Sequence, residues 1–210
     1  MPELLTQNAK MKASSLPGLW NFGIPAYREA GGKVTCPMAG QCGKDAGCYA
    51  QMGRYAQGAV KNAYQWRYEQ TTNVDLFVAQ MVEELDKRKY QTIRVHDSGD
   101  FYSPKYMEAW LQIAWEHPDK RFYAYTKMVT LARSQKRTPK NWTWIFSLGG
   151  LEDPKIDVTK DRHSRVFQNL EDLTKAGYAD ASHDDAVALG PNHKVGLIYH
   201  GYSSRSTQWK

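Results

Sequence analysis

Residues 92–110 read TIRVHDSGDFYSPKYMEAW and contain the unit from which the fold is expected to be built. Thr92–His96 is rich in β-branched residues and predicts a strand, which ends in the turn DSGD at residues 97–100. Ser103 and Pro104 are typical of a helix N-cap and of the first helical position, so a helix is predicted directly after this turn. A strand followed by a turn and a helix is the repeating unit of α/β proteins.

The same alternation of helices and strands continues on both sides of this stretch. Helical spacing of apolar residues predicts one helix from Tyr49 and another from Asn73, which is a plausible N-cap. Further strands are predicted at residues 18–24, 121–126, 143–146, 164–168 and 194–199. The pattern predicts an α/β fold with a largely parallel sheet that curls toward a partial barrel. In such folds the functional site lies at the carboxyl ends of the strands.

The length of 210 residues predicts a single domain, with an irregular segment at 1–15 and a polar tail at 201–210. No stretch approaches the roughly 18 apolar residues that a membrane span requires. The first residues lack the charged and apolar regions of a secretory signal. We therefore expect a cytoplasmic protein with no membrane partner.

The formal net charge is +6 and the isoelectric point is about 9.1, so the chain is moderately basic. This charge is compatible with nucleic acid or an anionic small molecule as a partner. The densest basic run comprises Arg133, Lys136, Arg137 and Lys140, and it is either a solvated face or a functional patch. The tail from Tyr202 to Trp209 contains aromatic residues of the kind that stack on single-stranded nucleic acid.

Three cysteines, Cys36, Cys42 and Cys48, lie within 13 residues on a glycine-rich loop. An odd number of clustered cysteines in a reducing compartment favours metal binding over a disulfide framework. Gaps of five and five residues allow three thiolates to surround an iron–sulfur cluster, with one iron left for another ligand. Zinc is the rival metal, although structural zinc wants four protein ligands, commonly at shorter spacing. Three buried structural cysteines are the remaining interpretation.

Four motifs link the chain to a known group of proteins. They are TCP at 35–37, CYA at 48–50, HDSGDF at 96–101 and FYAYTK at 122–127. Together they resemble a family of small phage-encoded iron–sulfur proteins related to radical S-adenosylmethionine (SAM) enzymes. The resemblance implies a radical-SAM-like partial (β/α) barrel and a [4Fe–4S] cluster on the three cysteines. It also implies a small-molecule ligand at the open iron and a place of action in the cytoplasm of an infected bacterium.

The resemblance and the strand ends together suggest which residues bind a cofactor or ligand. Tyr49 is expected to pack over the cluster. Ser98, Gly99 and Asp100 stand where radical SAM enzymes receive the SAM amino group, since glycine permits close approach and a carboxylate pairs with an ammonium. The alternative is an ordinary turn in which Asp100 caps the next helix. Lys127 is expected either to neutralise a ligand carboxylate or to face water.

Several other residues near the strand ends have two interpretations each. His96 is either a base or hydrogen-bond donor of the site or a structural residue. Ser147, Gly149 and Gly150 end a strand and either admit a ligand to the backbone or form a tight turn. An inward-facing Arg94 would need a partner, and its side is not fixed by the sequence.

Three functions are compatible with this pattern, and the sequence assigns no catalytic residue. The first is a radical-SAM-like enzyme in which the cofactor carries the chemistry. The second is a cluster protein without SAM chemistry, acting as a Lewis acid, in electron transfer or in redox sensing. It is favoured by cysteine gaps wider than those of radical SAM enzymes. The third is a zinc- or cluster-stabilised module that binds nucleic acid.

Overall fold

A computed structural model describes residues 3–40, 48–87 and 89–199. Within these residues seven parallel strands form one sheet, which curls into a half-barrel. The strand order is β1-β2-β3-β4-β5-β7-β6. The strands are β1 (Leu19–Phe22), β2 (Thr92–Val95), β3 (Arg121–Thr126), β4 (Trp142–Ser147), β5 (His163–Phe167), β6 (Ala179–Asp180) and β7 (Lys194–Ile198). The predicted partial (β/α) barrel is confirmed.

Six α-helices accompany the strands in the described part of the chain. They are α1 (Ala9–Ala13), α2 (Gly58–Thr71), α3 (Val74–Lys87), α4 (Pro104–Glu116), α5 (Val129–Ser134) and α6 (Leu170–Lys175). The predicted cap of α4 is confirmed, because the Ser103 side chain accepts the amide of Tyr106 at 3.3 Å. The predicted start of α3 is confirmed as well, since the Asn73 side chain accepts the amide of Leu76 at 3.2 Å. None of the helices in the described ranges is long and apolar enough to cross a bilayer.

The helix predicted from Tyr49 begins later, at Gly58. Tyr49–Gln51 and Gly53–Ala56 form two 3₁₀ turns before it. Gly53 has a φ of +56°, a left-handed conformation in which a helix does not continue. The helical spacing of apolar residues continues through Gly53, although the backbone is not α-helical there, and this is why the predicted helix start was wrong.

The N-terminal segment is more ordered than the predicted irregular stretch at 1–15. Leu4 and Leu5 are buried, and Thr6 forms a bridge with Asn21 of β1. Helix α1 follows and buries Met11 against the inner face of the sheet. The largely polar composition of this segment did not indicate that three of its apolar residues are buried, so the prediction of an irregular segment was wrong here. The predicted tail at 201–210 lies outside the described residues.

Alternate residues of each strand point to two separate apolar layers. On the outer face, Ile93 and Phe122 pack beneath α3 and α4, together with Phe77 and Trp110 of those helices. On the concave face, the inner cluster comprises Met11, Leu16, Leu19, Tyr123, Tyr125, Ile145, Ala181, Ala188 and Val195. Because side chains alternate along a strand, Arg94 between Ile93 and Val95 faces the concave side. The concave face is therefore partly polar, and it holds the site.

Candidate functional site

A cavity of about 510 Å³ opens at the carboxyl ends of the central strands. Its volume lies in the range of small-molecule sites, which span about 300–1,000 Å³. The cavity is lined by the described residues that were predicted to hold the cluster or bind its cofactor: Cys36, Cys48, Tyr49, Ser98, Gly99, Asp100 and Lys127. Of the glycines that end β4, neither Gly149 nor Gly150 is among the lining residues. The third predicted ligand, Cys42, lies outside the described residues.

Cys36 is held against the turn that follows β2. The preceding residue, Thr35, is fully buried, and its hydroxyl donates to the Pro25 carbonyl at 2.6 Å. The Thr35 carbonyl accepts the amide of Asp100 at 3.0 Å, which joins the cysteine loop to the turn. The amide of Tyr27 donates to the Cys36 Sγ at 3.4 Å. A sulfur that accepts a backbone N–H is suited to carrying thiolate character.

A second contact ties the cysteine loop to the end of β4. The Met38 carbonyl accepts the amide of Leu151 at 3.0 Å, and Ala39 bridges to Gly150. A side chain at Gly40 would place its Cβ 2.5 Å from the Gly149 carbonyl oxygen. The Gly149-Gly150 pair therefore admits the cysteine loop to the backbone, whereas the sequence predicted a ligand contact or a tight turn at this place.

The turn at 97–100 depends on its glycine. Gly99 has a φ of +80°, and a Cβ there would lie 2.3 Å from the Ile24 Cγ1. The Ser98 carbonyl accepts the amide of Ile24 at 3.1 Å. The turn is thus packed directly on the residue that follows β1 by two positions, and its other side lines the cavity.

Asp100 has its own partners within the protein. Its carboxylate accepts the Thr126 hydroxyl at 2.7 Å and the amides of Phe101 at 2.8 Å and Lys127 at 2.9 Å. Burial raises the pKa of this carboxyl, whereas the same hydrogen bonds oppose the shift. Asp100 therefore positions the end of β3 beside the turn. The interpretation in which it caps the next helix is wrong, because Ser103 does so.

Lys127 presents a cation to the cavity. Its ammonium donates to the carbonyls of Ser147 at 3.3 Å and Leu148 at 3.0 Å. Within the part of the chain that the structure describes, it forms no ion pair with a carboxylate. Its charge is therefore available to an anionic ligand.

The described residues contain no group of three His, Cys, Asp or Glu side chains arranged to hold a metal ion. The predicted cluster ligands include Cys42, so that set is incomplete within the described ranges. The two described cysteines nevertheless line one cavity, and Cys36 has an N–H donor at its sulfur. These two features fit a group bound through thiolates.

Comparison with known proteins identifies the family of this chain. Residues 3–207 match the protein family GP88, described as Gene product 88. The chain belongs to the GP88 family. The Gene 88 protein of Mycobacterium phage L5 is 32% identical over 123 residues, which cover 53% of this chain and 49% of the relative. The Gene 88 protein of Mycobacterium phage D29 is 31% identical over 123 residues, with the same two coverages of 53% and 49%.

The GP88 assignment confirms the phage relationship expected from the motifs. The chain spans about half the length of the curated relatives that it matches. No solved structure matches it.

In this GP88 protein, Asp97 organises three tyrosines beside the cysteine loop, a role that sequence reasoning missed. Its carboxylate accepts the hydroxyls of Tyr64 at 2.8 Å and Tyr55 at 3.2 Å. Its carbonyl accepts the hydroxyl of Tyr49. A side chain at Gly23 would meet the Asp97 carboxylate at 2.1 Å, so the strand end leaves room only for glycine. Tyr49 is thus fixed at the cavity rim directly after Cys48.

His96 lines the cavity and also packs within the protein. Its φ is +70°, which turns the chain from β2 into the 97–100 loop. The ring packs on Phe101 and its Nε2 lies 2.8 Å from the Tyr106 hydroxyl. Burial lowers the pKa of this imidazole to about 3, so it is neutral near pH 7. Packing, together with a pKa too low for the ring to take up a proton near pH 7, favours the structural interpretation over a role as a base.

An ion-pair cluster lies on the concave face, and in it Arg94 is paired with Asp185. The Arg94 guanidinium lies 3.0 Å from the Asp185 carboxylate, and the Lys10 ammonium lies 2.7 Å from it. The Tyr123 hydroxyl also donates to Asp185 at 2.6 Å. Burial disfavours the charge of Asp185, but Arg94 and Lys10 outweigh it and lower the pKa to about 2. The cluster joins residues far apart in sequence, so no local pattern revealed it.

The basic run that is a candidate for nucleic-acid binding is exposed. Arg133 forms an ion pair with Asp161 at 2.5 Å. Lys136, Arg137 and Lys140 lie on the surface. The aromatic tail at 202–209 lies outside the described residues, so nucleic-acid binding stays a prediction.

Proposed function

We propose that this GP88 protein holds a [4Fe–4S] cluster through Cys36, Cys42 and Cys48 and leaves one iron open to a small molecule. The observation that carries the proposal is that Cys36 and Cys48 line one cavity at the carboxyl edge of a parallel half-barrel. This edge is where α/β folds bind ligands and cofactors. The protein would act in the cytoplasm of the host cell.

The surroundings of the cysteines support a cluster over a zinc site. The loop is anchored twice, through Thr35 to the 97–100 turn and through Met38 to the end of β4. The Tyr27 amide at the Cys36 sulfur is of the type that tunes cluster thiolates. Zinc with three thiolates requires a fourth ligand, and residues 3–40, 48–87 and 89–199 contain no group of three His, Cys, Asp or Glu side chains arranged to hold a metal.

The protein's own residues suggest how a ligand would be held. Lys127 would neutralise a carboxylate, since its ammonium contacts only carbonyl oxygens among the described residues. Ser98 and Gly99 would offer the backbone edge of the turn, and Tyr49 would close the rim. Asp100 would hold Lys127 in place by accepting the backbone amide of Lys127. It would not receive a ligand ammonium, because the Asp100 oxygens already accept three donors.

Two reaction types remain within this proposal. When bound, a cluster with an open iron supplies either one-electron chemistry with SAM or Lewis acidity toward a ligand oxygen. The cation at Lys127 suits the carboxylate of SAM and also suits a carboxylate substrate. The cysteine spacing favours a site that differs from that of usual radical SAM enzymes.

Anaerobic purification followed by iron and sulfide analysis tests the proposal. We expect about four irons and four sulfides per chain, as a [4Fe–4S] cluster requires. Replacing Cys36, Cys42 and Cys48 by alanine together should abolish both. Gln51→Ser is the matched control, because Gln51 is exposed in the turn that follows Cys48, and this variant should keep its iron. Zinc in place of iron would refute the proposal.

An EPR spectrum of the reduced protein, recorded with and without SAM, separates the two reaction types. A spectrum that changes when SAM is added indicates a radical-SAM-like enzyme. A cluster spectrum that is indifferent to SAM indicates a cluster protein without that chemistry.

A further inference from the structure

Several residues of the cavity lining have a buried polar atom with no hydrogen-bond partner in the described protein, and two of these atoms are donors that lie close together at the concave end. They are the Arg94 Nε and the Tyr125 hydroxyl, both of which are buried and have no hydrogen-bond partner among the described residues. Both residues line the cavity. They lie on neighbouring strands, with the Arg94 guanidinium 4.8 Å from the centre of the Tyr125 ring. A buried donor without a hydrogen-bond partner destabilises the protein, so two such donors side by side usually mark a place for a ligand or ordered water.

Two cations lie at this end of the cavity. They are Arg94 and Lys10, and Asp185 contributes the carboxylate between them. The Asp185 oxygen that pairs with Arg94 also accepts the Tyr123 hydroxyl, and its other oxygen forms the ion pair with Lys10. Burial raises the pKa of the Asp97 carboxyl, which lines the same cavity, and the charge of Arg94 opposes this shift, so the two cations face two carboxyl groups. The feature that singles out this place is therefore the two unpaired donors beside a guanidinium.

A third donor is placed nearby. Ser182 lines the same cavity, and its Oγ accepts the amide of Ile198 at 2.8 Å. Because that oxygen already serves as an acceptor, its hydroxyl hydrogen is suited to donate to a ligand. Donors of this kind around a buried cation match an oxyanion better than they match an ammonium or an apolar group.

We propose that Arg94, Tyr125 and Ser182 form an oxyanion subsite for a small molecule that carries a carboxylate or a phosphate. Lys10 supplies additional positive charge at the same place. This inference rests on the proposed function, since it names the chemical class of the ligand that the same cavity would bind. Lys127 lines the cavity beside the turn after β2, so the subsite gives the ligand a second, separate anchoring point.

Anion binding to the subsite is measurable on the 210-residue chain without any cluster. Inorganic phosphate and acetate are titrated separately in chloride-free buffer, and the amide signals of Arg94 and Tyr125 are followed by NMR. We expect saturable shifts. Tyr125→Phe should weaken binding of the preferred anion by about tenfold, the usual effect of one hydrogen bond to a charged group. The anion that binds more tightly identifies the group that the ligand carries.

Two further variants sharpen the test. Arg94→Gln removes the cation and should abolish saturation, whereas Arg165→Gln makes the same charge change at an exposed position outside the cavity lining and should not. If Arg94→Gln fails to fold because Asp185 loses its partner, Tyr125→Phe alone decides, since its hydroxyl has no partner to lose among the described residues. Unchanged binding in Tyr125→Phe, or no saturation in the natural sequence, overturns the subsite.

Iron and sulfide analysis of separate, anaerobically purified protein keeps the two proposals apart. Saturable anion binding without iron retains the subsite and refutes the cluster. Iron without anion binding retains the cluster and refutes the subsite.

Discussion

At the scale of single residues, the site depends on backbone shapes as much as on side-chain chemistry. Gly99 adopts a φ of +80° and lies against Ile24. His96, which directly precedes the 97–100 turn, also has a positive φ, which is uncommon for a residue with a side chain. Two left-handed residues within four positions bend the chain sharply at the cavity edge.

Gly99→Ala should destabilise the protein for two separate reasons. The left-handed backbone alone costs about 1–2 kcal/mol for a residue with a Cβ, and the contact with Ile24 adds to it, so a total loss of about 3 kcal/mol is expected. Urea unfolding followed by tryptophan fluorescence measures the loss. Gly32→Ala is the matched control, because Gly32 has a φ of +89° but no atom lies within 4 Å of the place that its Cβ would take. Equal losses in the two variants would show that the Ile24 contact is unimportant.

The residues of the site could be predicted where a motif carried them. The cavity brings together the two described cysteines, Tyr49, the 97–100 turn and Lys127, as the motifs suggested. Asp97 was missed, since its role appears only when Tyr55 and Tyr64 reach it from a distant segment. Arg94 was noticed but not placed, because its partner Asp185 is 91 positions away.

At the scale of elements, strong apolar periodicity was sufficient to predict a helix, whereas very short elements could not be predicted. Helices α3 and α4 have clear apolar stripes, and both were predicted with their caps. Helix α1 has five residues and β6 has two, which is too few to show a period. Such elements form only because the folded sheet offers them a surface, so local sequence does not reveal them.

The N-terminal segment is attached to α3 through one carboxylate. Glu84 accepts the amides of Leu4 at 2.7 Å and Leu5 at 2.9 Å. Glu84→Ala should therefore release this segment, with faster hydrogen exchange at both amides and a loss of about 1–2 kcal/mol for two buried donors left unpaired. Hydrogen exchange followed by NMR measures it.

The neighbouring Glu83 provides the control for this release. Glu83→Ala removes an exposed carboxylate that pairs with Lys87 on the same helix, so it should leave the Leu4 and Leu5 amides protected. Equal exchange at those amides in both variants would show that α3 does not hold the segment through Glu84.

At the scale of the whole molecule, Asp185 fastens distant parts of the chain to one point. Its partners Lys10, Arg94 and Tyr123 come from α1, β2 and β3. The cluster closes the concave face beneath the cavity. It therefore couples the stability of the half-barrel to the charge state of one buried carboxyl.

That coupling predicts how stability responds to acid. Burial opposes the charge of Asp185, but Arg94 and Lys10 lower its pKa from 3.8 to about 2. A lowered pKa means that the unfolded chain binds the proton more readily, so stability is present above pH 3.8 and is lost as the pH falls through about 2. Asp185→Asn should cost about 3 kcal/mol at pH 7, because two partly buried cations lose their carboxylate.

The pH dependence distinguishes this mechanism from ordinary loss of packing. The cost of Asp185→Asn should shrink toward pH 2, where the carboxyl of the natural protein is itself being protonated and most of its contribution to stability is gone. Urea unfolding at pH 7, 4 and 2 provides the comparison. Other carboxyls such as Glu152 also have a lowered pKa, but they weaken both proteins equally in acid and cancel in the difference. Asp75→Asn, an exposed change on α3, should have little effect at any of these values. A cost for Asp185→Asn that is the same at pH 7 and pH 2 would mean that shape rather than charge holds the concave face together.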